Sequence, residues 1–159
     1  MNNAEKIIST IKSLDKLDRK RDALRVRLAY AKKCLCDEGD YAGVLYVSQV
    51  LDPKMRDKLF LQFLRRNSTY NALFVLAFAG DENSPAYVEA EEIAEELYEQ
   101  NIYKIHEETA KEKDRVLCLF LDDYQDKDSL EWVCETIGKD THFKAYEMVT
   151  SLLINQVNG

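Results

Sequence analysis

The chain has 159 residues, 46% of them apolar and 32% charged, with only five Gly and two Pro. That length and balance predict one folded domain of ordinary size, or two very small ones packed together, and argue against wholesale disorder. No apolar run approaches the roughly 20 residues that a membrane span needs. The opening residues 1–6 have no basic stretch leading into an apolar core, so no secretory signal is expected and the predicted setting is cytoplasmic.

In chain order, Asn3–Leu14 carries Ile7, Ile8, Ile11 and Leu14 on one helical stripe. Leu17–Leu35 continues as helix with Leu17, Leu24, Leu28 and Cys34/Leu35 broadly on one side, and Gly39-Asp40 stops it. Tyr41–Leu51 is apolar and β-branched, which leaves helix and strand both open. Asp52-Pro53 then opens a helix over Lys54–Arg66, with Asp as N-cap and Pro at the first position. Ser68 or Thr69 caps Tyr70–Ala79, apolar on almost every side and therefore expected at the centre of the core, with Gly80 ending it. Residues 81–85 form a loop. Beyond it, Ala86–Gln100 reads as an acidic amphipathic helix with Val88, Ile93, Leu97 and Tyr98 facing inward. Ile102–Thr109 is a short element and Lys111–Tyr124 a further helix. Asp128 or Ser129 caps Leu130–Ile137, Gly138 ends it, and Thr141–Val157 is the last helix. About eight helices and at most one strand predict an all-α, antiparallel helical bundle.

Net charge is −7, unevenly spread. Residues 12–33 carry nine Lys/Arg against three Asp, a local +6; residues 81–114 carry twelve Asp/Glu against three Lys, a local −9. The candidate basic surface is Arg19, Arg21, Arg25 and Arg27, and the candidate acidic surface is Glu91, Glu92, Glu95, Glu96 and Glu99. Such asymmetry points to an electrostatic contact, between copies or with a partner of opposite sign. The acidic balance argues against a nucleic acid as that partner.

Signatures of chemistry are missing. Cys34-Leu35-Cys36 is too tightly spaced for a zinc knuckle, and His106 and His142 are far away. The four cysteines read as reduced thiols filling helix faces. There is no Gly-rich phosphate loop, Gly-x-Ser-x-Gly or His-Glu-x-x-His pattern. His106 beside Glu107-Glu108 reads as a solvated residue on an acidic helix. No enzyme, cofactor or metal is expected.

Two stretches resemble each other. Residues 56–64 align with 113–121 at an offset of 57; further on, Phe74-Val75 aligns with Trp132-Val133, Gly80 with Gly138, and Ala86-Tyr87 with Ala145-Tyr146. Each copy reads as a basic-start helix, a polar loop, an aromatic-rich helix, Gly, and a third helix, the pattern of a repeated supersecondary block.

This block resembles the second half of a caspase recruitment domain (CARD) of the death-fold superfamily. Residues 93–102 resemble that family's second helix and the turn after it, Lys113-Asp114-Arg115-Val116-Leu117 the fourth helix, residues 130–138 the fifth with its turn, and residues 142–154 the sixth. The resulting division is an N-terminal helical unit over 1–83, a degenerate CARD-like copy, and a CARD-like unit over 84–159. Only 57 residues separate the two fourth-helix matches, too few for two complete copies of such a domain.

The resemblance implies a signalling adaptor of apoptosis or innate immunity, working by homotypic helical assembly in which a basic surface meets an acidic one. The alternative is an acidic all-α binding protein, of the immunity-protein or antitoxin kind, that blocks a basic partner. Such an inhibitor needs aromatic anchors on its acidic face, for which Tyr87, Tyr98 and Tyr103 would serve; in the CARD reading Tyr87 and Tyr98 pack inward.

Overall fold

The computed structural model describes residues 2–14 and 21–158, with the backbone alone described at residues 14 and 21–27. Among the described residues there are nine helices and no strand: α1 (Asn3–Leu14), α2 (Arg21–Asp37), α3 (Tyr41–Ser48), α4 (Pro53–Arg66), α5 (Ser68–Phe78), α6 (Pro85–Leu97), α7 (Ile102–Asp123), α8 (Lys127–Ile137) and α9 (Lys144–Asn158). The fold is an all-α helical bundle. No described helix is long and apolar enough to cross a membrane.

The helix punctuation follows local chemistry. Asp52 accepts the Met55 N–H at 2.9 Å, with Pro53 opening α4. Gly39, Gly80 and Gly138 end helices with φ of 66°, 78° and 64°, a region open to glycine at little cost.

The structure settles one element that the sequence left open and differs from the sequence reading in three others. The apolar run from Tyr41 is the helix α3, because Asp40 caps it by accepting the Gly43 N–H at 2.8 Å. Gly43 has no side chain to keep it from Asp40 and Leu35; a Cβ there would lie 2.8 Å from Leu35 Cδ1. Ile102–Asp123 is one helix of 22 residues rather than two elements. It contains no Gly or Pro, and Lys104–Glu108 at 3.1 Å and Lys111–Glu107 at 3.2 Å brace the stretch where the break was expected. The cap of α8 is Asp126, whose carboxylate takes both the amide and the hydroxyl of buried Ser129. Asn67 precedes α5 without a side-chain cap bond.

One apolar core runs from Ala4 and Ile7 through Phe60, Phe63, Phe74 and Phe120 to Ala145 and Val149, continuous across residues 83 and 84. Helix α5 packs against α4, α6 and α7. Tyr41 stitches the middle: its hydroxyl donates to Asn71 Oδ1 at 2.8 Å, Asn71 Nδ2 donates to the Phe63 carbonyl at 2.7 Å, and the Arg115 guanidinium lies 4.6 Å over the Tyr41 ring.

The two similar stretches share two matching contacts. Helices α4, α5 and α6 correspond to the second half of α7, α8 and α9. Phe63 packs on Phe74 at 5.1 Å, and Phe120 on Trp132 at 5.2 Å. Asp57 of α4 accepts the Ala86 N–H at the start of α6 at 3.0 Å. Asp114 of α7 accepts the Ala145 and Lys144 N–H groups at the start of α9, at 2.9 and 3.0 Å. In both units a carboxylate on the first helix caps the third, where the helix dipole also favours negative charge. Asp57→Ala and Asp114→Ala should each cost about 1–2 kcal/mol, read as a lower urea midpoint; unchanged midpoints would show that these carboxylates hold nothing.

Candidate functional site

Helix α6 buries Ala86, Ala90 and Ala94, one small residue per turn. A stripe of methyl groups lets α6 approach α5 closely, and it turns the larger residues sideways or out. Val88 and Leu97, expected inward, are exposed, while Ile93, Tyr87 and Tyr98 are half-buried. The Ala-x-x-x-Ala-x-x-x-Ala spacing was the sequence signal for this orientation, outweighed by reading the bulkiest residues as the buried face.

Of the candidate acidic residues, Glu91, Glu92, Glu96 and Glu99 are exposed and Glu95 is half-buried, all on α6 or the turn after it. Glu89, on the same helix, is tied to Arg65 at 3.4 Å. Of the candidate basic residues, Arg19 lies outside the described residues; Arg21, Arg25 and Arg27 are on α2, with side chains outside them.

Between α6 and α7 the chain turns through Glu99 and Gln100, at φ 51° and 59°. Two successive side-chain-bearing residues in the left-handed region are costly. The turn is held by the Gln100 N–H donating to the Glu95 carbonyl at 2.7 Å, and by Asn101, which caps α7 by accepting the Lys104 N–H at 3.1 Å. Leu97 is 45% exposed, Ile102 62% and Tyr103 88%, so three large apolar side chains stand in water at the same corner as Glu96 and Glu99. The sequence reading named Tyr103 as an anchor, placed Leu97 inward and gave Ile102 no surface role, and no periodic signal marks residues that flank a tight turn.

The other chemically able groups are dispersed. His106 and His142 are exposed. Glu107 and Glu108 beside His106 are engaged by Lys111 at 3.2 and 3.3 Å, and Glu108 also by Lys104 at 3.1 Å. Hydrogen bonds from Lys104 and Lys111 hold the Glu108 carboxyl below its usual range. All four thiols are free. Burial, with Asp37 adding to it, pushes the Cys36 thiol up to about 12; burial, with Asp114 adding to it, pushes Cys118 up to about 11. Both therefore stay protonated, the unreactive form of a thiol. Among the described residues no cluster of three or more His, Cys, Asp or Glu could hold a metal ion.

Comparisons with protein-family models, curated proteins and solved structures each find no match to this chain.

Two measurements check this description. Gln100→Gly relieves a left-handed residue and should raise stability by about 0.5–1 kcal/mol, seen as a higher melting temperature; a lower one would contradict the turn geometry. Burial also raises the Tyr124 hydroxyl to about 12. Folding thus favours the neutral forms of Cys36, Cys118 and Tyr124, whose ordinary values are 9.0, 9.0 and 10.0. The sign follows: their contribution is complete below the ordinary values and is lost as pH rises through the folded ones. The urea midpoint should fall between about pH 9 and pH 11, and a flat profile there would contradict the burial of these groups.

Proposed function

We propose that this protein is a non-catalytic protein-interaction module that docks through the α6–α7 corner onto a basic, apolar-lined partner surface. The observation that carries this reading is the exposure of Leu97, Ile102 and Tyr103 together beside Glu96 and Glu99. Apolar side chains at the centre of a contact supply affinity, aromatic ones above all, and surrounding charge steers the encounter. The strained turn supports the same reading, because such strain concentrates at recognition sites.

Two forms of the proposal differ in the partner. In the homotypic form, a death-fold signalling adaptor, the basic surface is that of a second copy, and its support is the resemblance over residues 93–154 together with both charge signs in one chain. Tyr87 packed against the core suits this form. In the inhibitor form the partner is a different basic protein, and the free-standing Tyr103 is the anchor that form requires.

Light scattering across concentration, at low and at ~0.5 M salt, separates them. The homotypic form predicts growth in mass that salt reverses and that Tyr103→Ala weakens by on the order of 2 kcal/mol. A monomer in every condition would exclude the homotypic form and leave the inhibitor form. Salt-sensitive assembly that is unchanged in both Tyr103→Ala and Glu96→Arg would contradict a role for the corner.

A further inference from the structure

An acidic, apolar corner calls for a basic, apolar-lined mate, and the chain itself carries such a surface between α2 and α4. A groove of about 550 Å³ lies there, lined by the buried Leu28 and Leu59 and by the more open Ala29 and Met55. Two lysines stand among these apolar side chains: Lys32 one turn beyond Leu28, and Lys58 between Met55 and Leu59. The Asp52 carboxylate partly offsets the Lys32 charge. Lys58 is exposed, and among the described residues no carboxylate lies within 4.0 Å of its ammonium, so it supplies the uncommitted cation.

Groove and corner match in sign and in texture. Helix α4 carries five Lys/Arg against one Asp, a formal +4, and α2 carries five Lys/Arg against two Asp, a formal +3. Helix α6 carries five Glu and no Lys or Arg, a formal −5, and Glu99 follows it. On both surfaces the charges are interleaved with apolar groups, as Glu96 and Glu99 are with Leu97, Ile102 and Tyr103. Opposite charges around apolar anchors steer an encounter and fix its register.

A corner cannot enter its own groove. At 3.6 residues per turn, Asp57 falls on the side of α4 opposite Met55 and Leu59, and Asp57 holds the first amide of α6. The corner lies at the far end of that 13-residue helix, ~20 Å away. The mate is therefore on another molecule. We propose that this chain assembles head to tail, with the α6–α7 corner of one copy seated in the α2–α4 groove of the next, Leu97 and Tyr103 against the apolar lining and the corner's carboxylates facing Lys58. This rests on the homotypic form of the reading above and names the surface that accepts the corner. Because the two faces differ, each added copy brings one free corner and one free groove, and growth runs on into a ring or a filament instead of stopping at a dimer.

Mixing two assembly-defective variants tests the pairing by light scattering. Glu96→Arg combined with Tyr103→Ala disables the corner and keeps the groove; Lys58→Glu combined with Ala29→Trp disables the groove and keeps the corner. All four positions are exposed, so both variants should keep the helical circular dichroism of the unmodified chain. At a concentration where the unmodified chain grows, each variant alone should stay at the 18.4 kDa of one chain, and an equimolar mixture should rise to twice that mass and stop, since one intact corner meets one intact groove. A groove variant that grows like the unmodified chain would overturn the groove and leave the corner's role standing. A mixture that stays monomeric beside a growing unmodified chain would overturn the pairing of the two surfaces. An unmodified chain that is monomeric throughout would overturn the homotypic form and this inference with it.

Discussion

A carboxylate on one helix that holds the first amides of another is the contact on which the rest of this molecule depends. The N-terminus of α6 has a complete account of its donors: Pro85 has none, Ala86 donates to Asp57, Tyr87 to the Ser84 hydroxyl, and Val88 to the Ser84 carbonyl. With its start pinned to α4, a 13-residue helix is a stiff rod of ~20 Å. Where it ends, and therefore where the α6–α7 corner projects, is decided at the opposite end by Asp57. The second unit repeats the device with Asp114 and α9.

The alanine face of α6 is the second half of the same logic. Burying Ala86, Ala90 and Ala94 gains less per residue than burying leucine, because the area removed from water is smaller. The close approach it permits lets α6 settle against α5, and the displaced bulk appears at Val88 and Leu97 in solvent. Exposed apolar residues at a strained, acidic turn are thus a consequence of how the helix packs. The two units also differ in a telling way. Helix α5 is hemmed in by α4, α6 and α7, whereas α8 turns Asp128, Glu131 and Glu135 to water. Helices that are apolar all round belong inside, and a charged outer face closes an array of repeated units.

Much of this was legible in the residues. Gly39, Gly80 and Gly138 mark helix ends because their backbone conformation discourages other residues, and Asp52-Pro53 marks a start because both halves of the cap are adjacent in sequence. Long-range caps leave no such mark: nothing near Ala86 or Ala145 announces an aspartate 29 or 31 residues earlier, and only the aligned repeat brings the two pairs into view. Helix α3 was ambiguous because Ala42, Gly43, Val44, Leu45, Val47 and Ser48 are all buried, so no face alternates with water to set a period. Four of the five expected acidic residues are exposed, and Tyr103 stands out as read, but Leu97 beside them was hidden by the assumption that large apolar residues on an amphipathic helix point inward.

Hydrogen exchange at single-residue resolution tests the carboxylate-capped repeat most directly. The first amides of a helix have no intrahelical acceptor and ordinarily exchange freely. If Asp57 and Asp114 hold α6 and α9 as described, the Ala86 and Ala145 amides are protected to a degree comparable with the interiors of their helices. Exchange of both amides as fast as in an open helix terminus would contradict the account, and with it the placement of the corner.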